Sequence, residues 1–364
     1  MRLLLALIIS IPVIGCSESD PRTTFTQENA FDWTTSAGAQ PPNNLAGSIL
    51  SKISGESLEL FSDQLAVTAQ RALNTASSSL VEGPTLSTTL SADMELIETT
   101  RTVSTYQCNQ GGSVIHSVGN DVYSIPGETK HADSERYEFN DCVFFSGAEN
   151  GENIQLRGTF ETSNSYSAVS RSSQSTNSKT WTSFHQISTN SRNEKTEYFV
   201  DASINTQEPH TQTHRNNHKT VTIGEFEHIN STGDVESVSE SSFQRDDLFS
   251  TNSGLREHTF QIEGIYKGPL TNQASVIATT MIPFDAAVSE FSFQGAPANV
   301  MAAGVFELSS TSSSLSMSMT GGILQNYHAA TFAITGDAES QDLLPTELPF
   351  YFFDNNARGF AVDL

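Results

Sequence analysis

From Thr99 onward the chain is written with a period of two. Residues 101–108 alternate Val103, Thr105 and Gln107 against Thr102, Ser104, Tyr106 and Cys108. The stretch Asn109-Gln110-Gly111-Gly112 then offers a turn, residues 113–118 run back, and Gly119-Asn120-Asp121 offers another. Successive side chains of a strand point to opposite faces, so alternation broken by Gly, Asn and Asp predicts antiparallel strands joined by short turns. The same texture holds Tyr137 and Phe139 within 136–145, then Ile154, Leu156, Gly158 and Phe160, and continues over 221–229, 235–243 and 259–266. In the tail, Leu315, Met317 and Met319 lead into Gly321-Gly322 and then Ile323. A Gly-Gly pair between alternating runs is a hairpin signal. A last hairpin is expected from 350–353, Asp354-Asn355-Asn356 and 359–364.

Composition agrees. Charged residues make up 16% and the chain is rich in Ser, Thr and Asn. Thr favours strands, while Ser and Asn compete with helical hydrogen bonds. With 22 Phe and 8 Tyr the chain carries too much aromatic surface to stay disordered. The expected fold is mainly β, a large antiparallel sheet arranged as a sandwich or an incomplete barrel, with one amphipathic helix before it.

That helix falls in 45–76. Leu58, Phe61, Leu65, Ala69 and Leu73 form one apolar stripe at helical spacing, and Gly55 separates a short first turn from the main helix. Ser54 or Ser57 is the expected N-cap. Packing on the sheet is the favoured role; a movable lid over a cavity is the alternative. Residues 162–220 are long, polar and thin in apolar residues, with islands at 181–187 and 198–204. They are expected either as strands solvated on both faces, whose register is weakly specified, or as loop.

The first sixteen residues, MRLLLALIISIPVIGC, hold one cation, Arg2, and an apolar stretch over 3–14. That is too short for a membrane span and right for a signal peptide. The end, Val13-Ile14-Gly15-Cys16, resembles the lipobox of a bacterial lipoprotein precursor. The resemblance implies cleavage between Gly15 and Cys16, a diacylglycerol on the Cys16 sulfur and an acyl group such as palmitate on the new amine. Two or three acyl chains exceed the marginal binding of one chain. Ser17, where enteric lipoproteins kept in the inner membrane have Asp, implies the outer membrane. The expected organisation is a signal peptide over 1–15, a lipidated and largely disordered tether over 16–44, the helix over 45–76 and a β domain over 77–364. No Lys or Arg stands between Lys267 and Arg358, so a subdomain boundary is expected near 268.

Cys16 being assigned to lipid, Cys108 and Cys142 remain. In an oxidising compartment they are expected as a structural disulfide that staples the strand of Cys108 to that of Cys142 as near neighbours. His210, His214, His218 and His228, within nineteen residues of one another, are the candidate metal ligands. Glu208-Pro209 and Asn216-Asn217 argue against a helix there, and residues four apart on a strand stand about 13 Å apart, too far to share one ion. A solvated His-rich edge is expected rather than a metal site, and no cofactor is implied. Motifs for acyl transfer, zinc proteolysis or phosphate binding are absent. Asp246-Asp247 would diverge on a strand, and Asp354-Asn355-Asn356 lacks the later acidic ligand of a calcium loop.

A net charge of −24, one unit more negative once Arg2 leaves with the signal peptide, argues against nucleic acid as a partner. The membrane is an expected partner only through the lipid on Cys16. The expected function is a non-enzymatic interaction or structural lipoprotein of the outer membrane. An alternative is a carrier of lipid or another hydrophobic ligand. Bacterial lipoprotein-sorting proteins, which the chain resembles in architecture alone, curl a sheet into an incomplete barrel under a helix. A second alternative is an envelope hydrolase. Ser and Thr crowd 310–318, which is unsuited to a lipid-facing barrel row.

Overall fold

Each strand pairs with the strands before and after it in sequence. The result is one antiparallel sheet ordered β1 to β15 without a crossover. A computed structural model of the chain describes residues 42–82, 95–125, 128–146, 151–169, 172–250, 255–289, 300–310, 314–321, 329–336 and 343–349. The signal peptide, Cys16 and the hairpin expected over 350–364 lie outside these residues. Two helices come first, α1 (Pro42–Ile53) and α2 (Glu56–Thr75). The strands are β1 (Ser77–Glu82), β2 (Glu95–Gln107), β3 (Gly111–Ile125), β4 (Glu128–Phe145), β5 (Asn153–Val169), β6 (Ser172–Thr189), β7 (Lys195–Thr211) and β8 (His214–Ile229). They continue as β9 (Val235–Ser250), β10 (Leu255–Lys267), β11 (Ser275–Ser289), β12 (Val300–Ser309), β13 (Ser314–Gly321), β14 (Ala329–Gly336) and β15 (Leu343–Pro349).

The fold is mainly β, and the sheet does not close into a barrel. Of the two arrangements expected, the sandwich is not found: among the described residues there is one sheet, and its apolar face is covered by helices. Gly268-Pro269 opens a short 3-10 turn between β10 and β11, which pair with each other on either side of it. The shift in composition there falls on a turn within a continuous sheet.

The described residues of polar 162–220 are strands joined by short turns, not long loops. β6 and β7 run 18 and 17 residues. The islands at 181–187 and 198–204 are the stretches that cross the core, where Trp181, Phe184, Val200 and Ala202 are buried. Beyond them both faces meet water.

A line of irregularities crosses the strands at one level. Register slips between Phe139 and Cys142, Arg157 and Thr159, Trp181 and Phe184, and Asp201 and Ala202. It slips again between Glu263 and Ile265, opposite β9. The extra residues adopt left-handed backbone at Asp141, Gly158, Ser183 and Glu240. Bulges bend a strand and increase its twist, so bulges in register crease the sheet.

The helices lie over this crease. Ile53 meets Gly264 of β10, and its carbonyl accepts a 2.6 Å hydrogen bond from Ser241 Oγ of β9. Phe61 of α2 packs on Phe184, Tyr198 and Phe226 of β6, β7 and β8. Leu58, Phe61, Leu65 and Ala69 of the predicted stripe are buried, its last member Leu73 packs only at the margin, and Ala72 beside it is buried instead. Each large side chain so buried contributes about 1.5–3 kcal/mol. Ion pairs at the rim add little. Lys179 Nζ stands 3.6 Å from an Asp63 that is 80% exposed, the setting in which such pairs are worth about 0–1 kcal/mol.

Two local expectations need correction. The segment before Gly55 is a 12-residue helix, not a short turn. Neither Ser54 nor Ser57 caps α2: the N-cap is Gly55 itself, at φ 98° and without a side-chain cap bond. Gly is required there because a Cβ would come within 2.8 Å of Val221 Cγ1. Glu56 and Glu59 in the first turn suit the positive end of the helix dipole.

Candidate functional site: a polar trough on the concave face

Rows of side chains in register show how the sheet changes character along its strands. In the crease row, Tyr137, Phe160, Trp181, Ala202 and Ile223 stand side by side on β4 to β8 and are buried. One step along the strands the row reads Glu135, Thr162, Lys179, Ile204 and Val221. Another step gives Asp133, Asn164, Asn177 and Thr206 on β4 to β7, and the next gives His131, Tyr166, Ser175 and Glu208. The last two rows line a trough of about 350 Å³.

Hydrogen bonds fix these side chains to one another across the strands. Asn120 Nδ2 donates to Asp133 Oδ1 at 2.6 Å, and Asn177 Nδ2 donates to Asn164 Oδ1 at 2.6 Å. Ser175 Oγ donates to Glu208 Oε2 at 3.3 Å. An amide keeps further donors and acceptors after one such bond, and a carboxylate keeps further lone pairs. Tyr166 leaves half of its surface, 50%, open to solvent beside them.

Between the trough and the core lies an ordered cluster. Glu135 Oε1 accepts from Tyr137 Oη at 2.5 Å and from His116 Nε2 at 2.8 Å. The His116 ring stacks on Tyr137 at 4.7 Å. Burial, then the hydrogen bond to Glu135 and its charge, push the Tyr137 phenol well above its ordinary value. Tyr137 is therefore a fixed donor, not a phenolate.

The four histidines of 210–228 are dispersed. His210 stands 4.0 Å from Glu208 on its own strand. His214 caps the β7–β8 turn, its backbone N–H donating to Thr211 Oγ1. His218 pairs with Asp246 at 2.5 Å on the convex face. His228 stacks on Tyr198 at 4.5 Å beside the helices. Burial, with Lys52 nearby, lowers the His228 pKa although Glu236 opposes the shift. Among the described residues no group of three or more His, Cys, Asp or Glu is arranged to hold a metal ion.

Cys108 and Cys142 form the expected disulfide, with Cα atoms 5.5 Å apart. Its placement differs in one respect. Cys108 follows β2 in the turn to β3, and β3 lies between β2 and β4. The bridge therefore ties a hairpin end to the second strand along.

Sequence reasoning missed the trough, because strict register across four polar strands is invisible in a local pattern. It also missed a repeated turn. Asn190-Ser191-Arg192-Asn193-Glu194 and Asn230-Ser231-Thr232-Gly233-Asp234 close the β6–β7 and β8–β9 hairpins in the same way. In each, the Asn side chain accepts from two backbone N–H groups, with Asn193 or Gly233 in left-handed conformation. The shared Asn-Ser-x-x-acid pattern was the available signal. No family model matches the chain, and no curated protein or solved structure matches it either.

Proposed function

We propose that this chain is a lipid-anchored protein of the bacterial envelope, attached through Cys16 to the outer membrane, that works by binding rather than by catalysis. One observation supports this best: the concave face is divided. Its apolar part is occupied by α1 and α2, whose stripe supplies the core with Leu58, Phe61 and Leu65. Its polar part, the trough between β4 and β7, stands open. A hydrophobic cargo would have to displace the chain's own helices, whereas a polar ligand needs no rearrangement. The disulfide between Cys108 and Cys142 suits an exported chain.

The test has two arms. Radiolabelled palmitate fed to expressing cells should mark the wild-type chain and leave Cys16→Ala unlabelled; equal labelling of both would end the anchor reading. Native mass spectrometry of exported Cys16→Ala should give the bare mass, short by the two hydrogens of the disulfide. A co-purifying adduct of lipid mass would replace binding at the polar face with carriage in the apolar hollow.

A further inference from the structure

We infer that the trough between β4 and β7 binds a neutral, polyhydroxylated ligand, a stretch of uncharged glycan. This deepens the binding reading and rests on it. Shape comes first. The trough is concave and its volume of about 350 Å³ falls in the range of small-ligand sites. Such sites are ordinarily lined by apolar side chains with a few polar groups; here amide, hydroxyl and carboxylate groups stand beside the Tyr166 ring, so an acyl chain or aromatic drug would strip those polar groups of water without pairing them.

Chemistry narrows the class. Asp133 and Glu208 place acceptors on opposite sides of the trough, on β4 and β7, and Asn164 and Asn177 between them place donors and acceptors together. That mixture answers a hydroxyl, which donates once and accepts twice. It does not answer a phosphate or sulfate, which only accepts. Lys179, the cation nearest on β6, is turned to Ser62 and Asp63 of α2, and the whole chain carries −24, so an anionic polymer would be repelled. Tyr166 adds a half-exposed ring on the same face, an amphipathic platform for the C–H face of a sugar.

The groups are also preorganised. They stand on four paired strands about 4.8 Å apart, and the Asn120–Asp133, Asn164–Asn177 and Ser175–Glu208 hydrogen bonds hold their side chains. Little side-chain freedom is lost when a ligand arrives.

The experiment uses the exported Cys16→Ala chain on an array carrying neutral oligosaccharides (β-1,4-linked glucose and N-acetylglucosamine, and α-1,4-linked glucose) beside sulfated and uronic ones. Neutral glycans should be retained and the acidic ones not. Titration calorimetry with the retained oligosaccharide should show affinity falling about tenfold or more in Tyr166→Ala and in Glu208→Ala. Tyr166→Phe should stay within about twofold, because the ring and not the hydroxyl makes the platform. Circular dichroism of each variant should match the parent, since these side chains are exposed or half-buried. Retention of only the acidic glycans, retention of none, or binding indifferent to both alanine variants would overturn the proposal. Mass spectrometry of the recovered glycan separates the two readings: an intact oligosaccharide in complex supports both, a cleaved one overturns non-catalytic binding while keeping the trough, and an absent complex overturns the trough alone.

Discussion

Two halves of one sheet follow the same backbone rule with opposite outcomes. On the helix side, alternate positions of β4 to β10 carry Phe139, Phe160, Trp181, Phe184, Val200, Phe226 and Phe260, and all are buried. Two steps further along the same strands, the alternate positions carry Asp133, Asn164, Asn177 and Thr206, and the sheet meets water on both faces. The same strands stay paired on both sides of the line of bulges. Backbone hydrogen bonding is therefore enough to extend the strands, but only the apolar half has a reason to be covered. The helices sit where the side chains demand them, and the trough lies open because nothing on its floor excludes water.

The comparison breaks first at Phe61. Its ring meets three aromatic side chains from three strands, so Phe61→Ala should cost about 3–5 kcal/mol in urea unfolding. Asn177→Ala, on an exposed ladder in the polar half, should cost within about 0.5 kcal/mol. Hydrogen exchange sharpens the contrast within one strand. Amides around Trp181 and Phe184 should exchange only on global unfolding, and those of 173–177 by local opening at lower free energy. Equal protection along β6 would mean that the polar half is held by something other than backbone pairing.

The second effect in size belongs to the disulfide. It closes a sequence separation of 34 residues, and the chain-entropy account gives about 3–4 kcal/mol for such a loop. The paired variant Cys108→Ser with Cys142→Ser should lose about that much by denaturant unfolding. The loss belongs to the apolar half, because Cys142 is fully buried beside the crease. Glycan retention by the variant under native conditions should therefore persist wherever it remains folded.

Next comes a pH dependence that acts on both faces of the apolar half. Burial lowers the pKa of His228 on the concave face, against Glu236 and together with Lys52. Burial likewise lowers that of His185 on the convex face, where Glu197 opposes it and Lys195 and Arg157 assist. An unfolded His takes up its proton near pH 6.5, before the folded one does. Below that pH the unfolded chain binds more protons, so stability should fall as pH drops through about 6.5 and on through the lowered values. His228→Phe keeps a ring against Tyr198 and removes one titration. Thermal melts between pH 8 and 5 should be flatter for this variant, and an unchanged slope would assign the dependence elsewhere.

How much of this was written in the sequence depends on range. The alternation of Ile154, Leu156 and Phe160 and the helical stripe of Leu58, Phe61 and Leu65 are local patterns imposed by burial, and both predicted their elements correctly. The disulfide followed from counting the cysteines left after Cys16 together with the expectation of an oxidising compartment. The polar stretch of 162–220 stayed ambiguous because Ser, Thr and Asn carry no burial signal. Its strands are specified by their partners on the adjacent strands, 13 residues away for Asn164 against Asn177 and 33 for Ser175 against Glu208, outside any short local pattern. The trough was hidden for the same reason: it exists only when four registers agree. The N-cap is not legible locally, because Gly55 marks a break between helices in the sequence whereas its φ and the closeness of Val221 are tertiary facts.

The smallest effect probes the boundary itself. Glu240 sits at the crease with φ 50°, its side chain exposed, and a left-handed backbone costs a residue with a Cβ about 1–2 kcal/mol. Glycine removes that cost but loses about 0.5–1 kcal/mol of chain entropy on folding. Glu240→Gly should thus stabilise by about 0.5 kcal/mol net, while Glu240→Ala, which keeps the Cβ, should change little. Gly158, on β5 in the same line of bulges, at φ 90° with Ser183 O only 2.2 Å from where a Cβ would stand, shows the other side of the same geometry. There the crease already has its glycine, because strand β6 leaves no room for anything else. Should Glu240→Gly instead lose stability by denaturant unfolding, the crease would owe its shape to a stiff β9 rather than tolerating a strained one. The division between the two halves would then be set by the backbone of that strand as much as by the helices resting on it.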